Sequence, residues 1–453
     1  MDKLNVIVVL DVGKTNKKVL LFDEQYRVVF EDSRKFNEIT DEDGFPCEDV
    51  YVLTSWIKES WKQFTSDKRF AIKGVNFSAY GASFVYLDDK LEVIPPLSNY
   101  LKPFPAPLQR EFYMQYGGES LVAKQTASPV LGNLNSGMQL YRLKKEKPAV
   151  FNKIRAALHL PQYLSYVLTH QLHSDITSIG CHTNLWNFRQ NDYHEWVRKE
   201  GLLEKFASIH PCTAIAGQAG NIPVGGGLHD SSAALIPYFS SFQEPFILLS
   251  TGTWCISLNP FNHAALTDNE LHEDCLCYLS YEGKPVKASR LFAGQEHEQA
   301  IKRLARHFQK PENYYSSVHC DTVLADSLAQ RHSGKIAEQN RDFSQKDLDA
   351  FSSYEDAYHS LIAGIMIKQT RSINLVLKGT PVKRIFVDGG FSKNPVYMYL
   401  LSKAFPTIGV FAASVAQASA LGAALAIHPH WNKRQLPSGI IDLRLYSPAQ
   451  DKI

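Results

Sequence analysis

The chain has 453 residues, of which 44% are hydrophobic and 21% are charged, as is typical of a globular protein with two or three domains. Lys and Arg nearly balance Asp and Glu, so the net charge of +2 argues against binding to nucleic acid or an anionic membrane. There is no run of the length of a membrane span, no signal-peptide pattern, and no CxxC pair among the seven scattered cysteines. The sequence therefore predicts a cytoplasmic protein with reduced thiols.

The first predicted element is a β-hairpin over residues 8–23, in which one apolar run ends on Asp11 and a second ends on Asp23. The segment between the two runs is rich in glycine, hydroxyl and cationic side chains: Gly13, Lys14, Thr15, Asn16 and Lys17. Backbone N–H groups of such a loop can bind an anion, and an acid at the strand end can hold Mg²⁺. The pattern indicates a nucleotide-phosphate loop, although most hairpins with a glycine turn are only hairpins.

The next segments alternate between helical and extended patterns. A helix is predicted over residues 49–64, and strands are predicted over residues 75–80 and 84–89, which favours an α/β domain. Five prolines in residues 95–107 predict a loop over a cleft. The spacing is helical again over residues 137–172.

The middle of the chain repeats the opening pattern. Residues 219–236 contain a glycine triplet followed by His229 and Asp230, and then by small residues suited to the start of a helix. A second hairpin is predicted over residues 246–260, again with a turn of hydroxyl residues and glycine at 250–253. The two hairpins indicate either two similar domains that face each other across one nucleotide or a chance repetition.

The C-terminal part of the chain contains three further predicted elements. A long amphipathic helix covers residues 354–377, and residues 384–394 read as a strand that ends in an acid and paired glycines. Residues 413–427 are rich in small side chains, which allow close packing against a neighbouring helix or a flat ring.

Five motifs, in this order, resemble those of the FGGY carbohydrate kinases: DVGKTNKKV, GLHDSSAAL, STGTW, VDGGFSKN and ASALGAAL. The resemblance covers nearly the whole chain. It implies an α/β fold of two ribonuclease-H-like domains, as in actin and the heat-shock chaperones, with a sugar and ATP in the cleft between them. We expect an N-terminal domain over residues 1–240 with the sugar site and first phosphate loop. We expect a C-terminal, nucleotide-binding domain over residues 241–453.

The resemblance also implies roles for individual residues. Asp230 is the expected general base, and Asp11 is the expected Mg²⁺ ligand; from its position alone, Asp230 could equally cap a helix that starts at Ser231. The residues expected to bind ATP are Gly13, Lys14, Thr15, Asn16, Lys17, Gly252, Thr253, Gly389, Gly390 and Asn394. For Asn394, a helix cap is the alternative. The residues expected to bind the sugar are Gly81, Ser83, His229, Asp230 and Ser231.

Several positions depart from the family pattern. Ser83 stands where relatives often have an acid, and residues 98–104 (SNYLKPF) stand where relatives commonly have an Arg-Asp-x-Arg segment, so the sugar pocket is altered. Lys14 and Lys17 lie in a loop that relatives fill mainly with hydroxyl residues and glycine. Gln417 stands where many relatives have a glutamate, which puts a carboxylate role there in doubt.

We therefore expect a kinase that uses ATP and Mg²⁺ to phosphorylate a small-molecule sugar. The pairing of His229–Asp230 with residues 251–254 (TGTW) is most similar to the rhamnulokinase and fuculokinase branch, which implies a 6-deoxyketohexose or another small ketose. A homodimer is compatible with the sequence, and neither nucleic acid nor a membrane is an expected partner. The alternative is an actin- or chaperone-like ATPase or a non-catalytic sugar sensor, although no appended peptide-binding domain is recognisable.

Overall fold

The structure is a computed structural model that describes residues 3–333, 343–415 and 417–446. The chain forms two mixed α/β halves. The strands of the N-terminal half are β1 (Leu4–Val12), β2 (Lys17–Asp23), β3 (Val28–Arg34), β4 (Ile39–Thr40), β5 (Pro46–Cys47), β6 (Phe70–Ala79), β7 (Phe84–Leu87), β8 (Val93–Ile94), β9 (Ala156–His159), β10 (Trp186–Asn187), β11 (Asp192–Tyr193), β12 (Ile215–Ala219), β13 (Ile222–Gly225) and β14 (Leu228–His229). Its helices are α1 (Val50–Ser66), α2 (Ala106–Gln115), α3 (Glu119–Thr126), α4 (Ser136–Glu146), α5 (Pro148–Phe151), α6 (Leu160–Thr169), α7 (Ile176–Ile179), α8 (Glu195–Lys199), α9 (Asp230–Ala233) and α10 (Ile236–Ser241).

The main sheet of this half has the order β12-β13-β6-β1-β2-β3, and β14 also pairs with β6. Strands β1 and β2 form the predicted hairpin, in which Asp11 lies opposite Lys18. Strand β6 runs parallel to β1 on one side and parallel to β13 and β14 on the other. The carboxyl ends of β1, β6 and β14 therefore meet at one edge of the sheet, where ligands of α/β proteins commonly bind.

The C-terminal half repeats this arrangement. Its strands are β15 (Phe246–Thr251), β16 (Cys255–Asn259), β17 (Cys275–Leu279), β18 (Pro285–Leu291), β19 (Arg384–Gly389), β20 (Gly409–Ser414) and β21 (Asp442–Tyr446). Its helices are α11 (Asp268–His272), α12 (Ala293–His307), α13 (Thr322–Ser333), α14 (Tyr354–Leu377), α15 (Pro395–Ala404), α16 (Ala418–Ala426) and α17 (His428–Trp431). The sheet order is β17-β18-β16-β15-β19-β20-β21. The predicted second hairpin is β15–β16, and β19 runs parallel to β15 just as β6 runs parallel to β1.

Helix α16 joins the two halves. In the chain it lies between β20 and β21 of the second sheet, but it packs against β1, β6 and α9 of the first half. Gly422 is required at the contact with α9, because a Cβ at this position would lie 1.9 Å from the carbonyl oxygen of Ala233. Buried side chains of both sheets, including Ile7 of β1 and Phe386 of β19, belong to the same hydrophobic core as Ala423 of this helix. The close packing predicted for the small-residue segment is confirmed.

The structure corrects two details of the predicted elements. Residues 137–172 are not helical throughout, because the buried residues 156–159 form β9 and pair with β7. The proline-rich loop is shorter than predicted, because α2 begins at Ala106 and includes Pro107. Proline is tolerated in the first turn of a helix, where its missing N–H group would have no intrahelical partner. Within the described part of the chain, none of the helices combines the length and the apolar character needed to cross a membrane.

Candidate functional site

Two carboxylates lie at the edge where the parallel strands of the first sheet end. Asp11 of β1 is paired with Ser78 of β6, and Asp230 follows β14, whose Leu228 is paired with the same serine. Strands on either side of one central strand are about 10 Å apart. The fold thus brings Asp11 and Asp230 together from distant parts of the sequence, as the predicted site requires.

Both carboxyl groups take up a proton more readily than an ordinary aspartate. Burial raises the pKa of Asp230 to about 6, although hydrogen bonds from Ser231 oppose the shift. Burial also raises the pKa of Asp11 to about 6; a 2.9 Å hydrogen bond from Ser419 Oγ opposes this shift, and the negative charge of Asp230 adds to it. A carboxylate with a pKa near neutrality is suited to general base catalysis.

The helix-cap alternative for Asp230 is not what the structure shows. Helix α9 begins at Asp230 itself, and His229 occupies the N-cap position. Asp230 Oδ1 accepts a hydrogen bond from the backbone N–H of Ser231 at 2.6 Å. An N-cap side chain would instead accept from a residue two or three positions ahead. The Asp230 side chain keeps 35% of its surface exposed, so the carboxylate is accessible from the cleft.

His229 is held beside Asp230 in an uncharged form. Its Nε2 lies 3.2 Å from Asp230 Oδ1 and 3.0 Å from Cys181 Sγ. Burial lowers the pKa of His229 to about 3, so the imidazole is neutral at physiological pH. Gly81 makes this arrangement possible, because a Cβ there would lie 2.9 Å from both Cys181 Sγ and His229 Cδ2. Gly81 and Asp230 therefore both lie against the buried His229.

The two serines predicted to bind sugar differ in accessibility. Ser83 is only 1% exposed, and its hydroxyl donates to the carbonyl oxygen of Ser98 at 3.1 Å. This contact anchors the proline-rich segment to the start of β7. Ser231 is only partly buried and lies next to the Asp230 carboxylate, to which its backbone N–H donates.

The first phosphate loop is a tight turn with an accessible tip. The backbone N–H of Gly13 donates to the carbonyl oxygen of Asn16 at 2.9 Å. Thr15 and Asn16 are exposed. The loop therefore presents an amide, a hydroxyl and peptide N–H groups to the solvent, as expected for a loop that binds an anion.

The lysines of this loop are held by carboxylates of the protein itself. Lys17 is 2% exposed, and its Nζ lies 2.9 Å from Glu48 Oε2 and donates to the carbonyl oxygen of Lys14 at 3.0 Å. Lys14 Nζ lies 2.9 Å from Glu38 Oε1 and 3.5 Å from Glu48 Oε1. The position of Lys17 in the loop suggested a cation for phosphate, but the side chain points into a buried ion pair. We therefore leave the Lys17 ammonium out of the phosphate site proposed below.

The second phosphate loop is supported by the start of helix α12. The backbone N–H of Gly252 donates to the carbonyl oxygen of Trp254 at 2.9 Å, and Gly252 and Thr253 are exposed. The N–H of Gln295 donates to the Thr253 carbonyl oxygen at 3.3 Å, and a Cβ on Gly294 would lie 1.8 Å from the carbonyl oxygen of Gly252. The 15-residue helix α12 thus places its N-terminus, which favours negative charge, against this loop.

The paired glycines after β19 lie against the second phosphate loop. Thr251 Oγ1 donates to the carbonyl oxygen of Asp388 at 2.5 Å and accepts from the N–H of Phe391 at 3.0 Å. Gly389 has a φ of 87°, and a Cβ there would lie 1.9 Å from the carbonyl oxygen of Thr251. Gly390 is exposed, and a Cβ at that position would meet open space.

Asn394 adopts the role of a helix cap. Its Oδ1 accepts from the backbone N–H of Tyr397 at 3.1 Å at the start of α15, and its Nδ2 donates to the Tyr358 hydroxyl at 2.8 Å. Both ends of the amide are thus used within the protein. Sequence reasoning left open a polar ligand contact or a cap, and the geometry favours the cap.

Two residues of the site were not singled out by sequence reasoning. Lys18 lies opposite Asp11, where its charge lowers the pKa of that carboxyl, and its Nζ donates to Gln417 Oε1 at 2.8 Å. Ser419 donates to Asp11 from the C-terminal half. The hairpin pattern contains a signal for Lys18, because the residues at equal distance from a turn are paired across it. The sequence pattern does not show that Ser419 contacts Asp11, because this contact depends on where α16 packs in the fold.

The C-terminal half also reaches the region of His229. The Arg290 guanidinium is paired with Asp274 at 2.7 Å and lies 5.2 Å from the centroid of the Trp254 ring. Burial raises the pKa of the Cys181 thiol and lowers that of His182, and the positive charge of Arg290 opposes the first shift and adds to the second. Both residues lie next to His229. Arg290 therefore lies close both to Trp254, next to the second phosphate loop, and to the residues around His229.

The site could hold a Mg²⁺ ion that is also coordinated by the phosphate oxygens of a bound nucleotide. In residues 3–333, 343–415 and 417–446, no group of three or more His, Cys, Asp or Glu side chains could hold a metal ion. Mg²⁺ usually takes one or two carboxylates and completes its coordination with water and phosphate oxygens. Asp11, a partly buried carboxylate at the end of β1, fits that donor set.

Comparison with known structures shows a two-domain mixed α/β fold of the sugar-kinase type. A carbohydrate kinase from Novosphingobium aromaticivorans has a TM-score of 0.79 and 22% sequence identity, covering 99% of this chain and 95% of that one. A ligand-bound xylulose kinase from Lactobacillus acidophilus has a TM-score of 0.79 and 16% identity, covering 98% of this chain and 94% of that one. The predicted fold class is confirmed.

Sequence comparison then identifies the family. The profile of the N-terminal domain of the FGGY family of carbohydrate kinases matches residues 6–237, and that of the carbohydrate kinase FGGY C-terminal domain matches residues 243–435. The chain belongs to the FGGY family of carbohydrate kinases. It is 24% identical over 269 residues to a rhamnulokinase of Mannheimia succiniciproducens and 23% identical over 286 residues to an L-fuculokinase of Escherichia coli K12. These matches cover 56% of this chain, and 54% and 56% of the two relatives, so the chain spans about half the length of the curated relatives it matches.

Proposed function

We propose that this protein transfers the γ-phosphoryl group of ATP to a hydroxyl group of a small ketose. The observation that carries the proposal is the Asp230 carboxylate, which is accessible, has a pKa raised to about 6, and lies at the sheet edge that also holds Asp11. The similarity to proteins named rhamnulokinase and L-fuculokinase favours a 6-deoxyketohexose such as L-rhamnulose or L-fuculose.

In the proposed reaction, Asp230 accepts the proton of the sugar hydroxyl. The sugar oxygen forms a bond to the γ-phosphorus, and the bond between this phosphorus and the bridging oxygen of ADP breaks, so ADP leaves with both bonding electrons. The neutral His229 and the backbone around Gly81 orient the sugar. His229 Nδ1 is buried without a hydrogen-bond partner among the described residues, which suits it to a sugar hydroxyl.

The two phosphate loops hold the nucleotide in this proposal. Peptide N–H groups and hydroxyls of residues 13–16 and of Gly252 and Thr253 bind the phosphates, while Gly389 and Gly390 admit the adenosine. Mg²⁺, when bound with ATP, neutralises phosphate charge, and Asp11 is the residue we expect to hold it. Cytoplasmic location and a homodimer stay predictions.

The test is ADP release by the purified protein with L-rhamnulose, L-fuculose, D-xylulose, D-ribulose and glycerol. We expect sugar-dependent ADP release that Asp230→Asn lowers at least 100-fold, because a positioned general base contributes about 10²–10⁴-fold to the rate. Asp388→Asn is the matched control, because burial also raises the pKa of Asp388 to about 6 but this residue lies on the nucleotide side. We expect this control to retain turnover within about tenfold.

Two results would contradict the proposal. A folded Asp230→Asn protein with normal turnover would remove Asp230 from the reaction. ATP turnover that is unaffected by every sugar would instead support an actin- or chaperone-like ATPase.

A further inference from the structure

A buried polar cluster lies beneath the first phosphate loop, and we call Glu48, Lys14, Lys17, Tyr80 and Tyr100 the Glu48 cluster. Glu48 is only 6% exposed, and its two carboxylate oxygens face the two lysines of the loop, at 2.9 Å from Lys17 Nζ and 3.5 Å from Lys14 Nζ. Lys17 also donates to the carbonyl oxygen of Lys14. The conformation of the phosphate loop is therefore tied to a carboxylate that lies outside it.

Glu48 also interacts with Tyr80, the residue before Gly81 of the candidate sugar site. Tyr80 follows β6 directly and is 7% exposed. Burial raises the pKa of Tyr80 well above its usual value, and the charge and hydrogen bonding of Glu48 add to this shift. The Tyr80 ring lies 5.9 Å from the Tyr100 ring, measured between centroids. Glu48 thus contacts the phosphate loop through the two lysines and interacts with Tyr80, which in turn lies against Tyr100.

The backbone fixes the distance between Glu48 and the segment that carries Tyr100. Glu48 forms an antiparallel β-bridge with Leu97. Asn99 Nδ2 donates to the carbonyl oxygen of Pro46 at 3.0 Å. Tyr100 follows Asn99 directly, so the backbone that carries it is attached to the chain around Glu48.

Tyr100 is near enough to both Glu48 and the proposed base for their charges to act on it. It is half-buried, and burial raises its pKa to about 12, with the negative charges of Asp230 and Glu48 adding to the shift. The phenol therefore keeps its proton and can donate a hydrogen bond to a ligand oxygen. Residues 98–104 stand where relatives commonly have an Arg-Asp-x-Arg segment for the sugar, so the Tyr100 hydroxyl is a group with which this chain can meet its substrate.

We propose that Glu48 is a positioning residue that couples the sugar end of the cleft to the first phosphate loop, so that each substrate strengthens the binding of the other. This inference rests on the proposed function. A sugar that binds the Tyr100 hydroxyl orders Tyr100 and Tyr80, and through them the Glu48 carboxylate and the two lysines. ATP then binds a loop that is already ordered, which costs less conformational entropy. The coupling is reciprocal, because both ligands act on the same equilibrium.

The test uses isothermal titration calorimetry to measure the dissociation constant of AMP-PNP, a non-hydrolysable ATP analogue, in the presence of Mg²⁺. Each titration is done without sugar and with a saturating concentration of L-rhamnulose or L-fuculose, whichever is turned over faster. For the wild type we expect at least fivefold tighter binding with sugar, since coupling factors are commonly about 5- to 150-fold. For Glu48→Gln we expect a factor below two. Glu38→Gln is the matched control, because Glu38 also holds Lys14 but is 44% exposed. It should keep the wild-type factor.

A second variant tests the link from the sugar side without disturbing the buried ion pair. Tyr100→Phe should bind AMP-PNP alone as tightly as the wild type, yet lose most of the gain from saturating sugar. A purely structural role of Glu48 would instead weaken AMP-PNP equally with and without sugar. If turnover is sugar-dependent but sugar does not strengthen AMP-PNP binding to the wild type, the inference is overturned. The same holds if Glu48→Gln or Tyr100→Phe keeps this strengthening, or if Glu38→Gln loses it. Absence of turnover with every sugar would overturn the proposed function as well.

Discussion

At neutral pH, the charged Asp230 carboxylate is less stable in the folded protein than in the unfolded chain. Its pKa rises from the ordinary value of 3.8 to about 6 on folding, because burial disfavours the charged form. The folded protein therefore binds the proton more tightly than the unfolded protein does. The contribution of this group to stability is fully present below pH 4 and is lost as the pH rises through 6.

This linkage predicts how removal of the charge affects stability. We expect Asp230→Asn to raise the Tm at pH 7.5, and we expect this gain to shrink as the pH falls from 6.5 to 5, where the wild-type carboxyl becomes protonated. Thermal unfolding of both proteins across this pH range provides the measurement. Asp268→Asn is the control, because hydrogen bonds from Ser120 and Lys124 lower the pKa of Asp268, and its replacement should not raise the Tm. A gain for Asp230→Asn that does not vary with pH would contradict the prediction.

The lysines of the first loop show that the sequence alone does not determine the direction of a single side chain. Lys14, Lys17 and Lys18 all lie near the loop, and the sequence drew attention to the first two. Lys17 turns into the buried pair with Glu48, whereas Lys18 lies opposite Asp11. The direction of each side chain depends on strand register and on a carboxylate remote in sequence, so only their proximity to the loop was predictable.

Whole elements were more predictable than side-chain directions. The two hairpins and the long helix Tyr354–Leu377 have strong periodic patterns, and the structure has all three. Strand β9 was missed because a buried run of four residues, AALH, has no periodicity that distinguishes it from a helical segment. Elements are thus predictable when they are long enough to show a repeat.

The contact between α16 and α9 leads to a prediction about one glycine. We expect Gly422→Ala to destabilise the protein by about 2 kcal/mol, because the new methyl group would lie 1.9 Å from the Ala233 carbonyl oxygen and force the helices apart. Urea unfolding measures the change. Gly364→Ala in α14 is the matched control, since a Cβ there has no atom within 4 Å, and it should stabilise the protein by about 0.5–1 kcal/mol. Equal stability of the two variants would contradict the contact.

The turn after β19 offers a similar pair of glycines for the nucleotide. We expect Gly389→Ala to reduce stability, because its φ is positive and its Cβ would meet Thr251. Gly390→Ala should fold with wild-type stability, since the position is open, but it should bind ADP at least about fivefold more weakly because the methyl group would occupy space expected for adenosine. Thermal unfolding and calorimetric titration with ADP separate the two effects. Unchanged ADP affinity in Gly390→Ala would place the adenosine elsewhere.

At the scale of the whole molecule, the two sheets are joined by a shared core around α16. The contacts of Ser419 with Asp11 and of Gln417 with Lys18 are side-chain hydrogen bonds, whereas the Ala423 side chain belongs to the hydrophobic core. In the proposed reaction, we expect the two halves to close around the substrates and to exclude water from the transferred phosphoryl group.

We therefore expect a ketose that supports turnover to reduce the radius of gyration of the protein. Small-angle X-ray scattering with and without saturating sugar measures this change. A sugar that gives no turnover serves as the control and should leave the radius unchanged. A constant radius with a saturating substrate would contradict domain closure.

Helix α16 also has a consequence for the synthesis of the chain. The hydrogen bond between Ser419 and Asp11 joins residues 408 positions apart, and Asn76 Nδ2 donates to the carbonyl oxygen of Ala423 across 347 positions. One face of the first sheet thus stays uncovered on the ribosome until nearly the last helix has emerged, long after its own strands have been made. Apolar surface exposed for that time promotes aggregation. The nascent N-terminal half is therefore where we expect a dependence on chaperones during translation to originate.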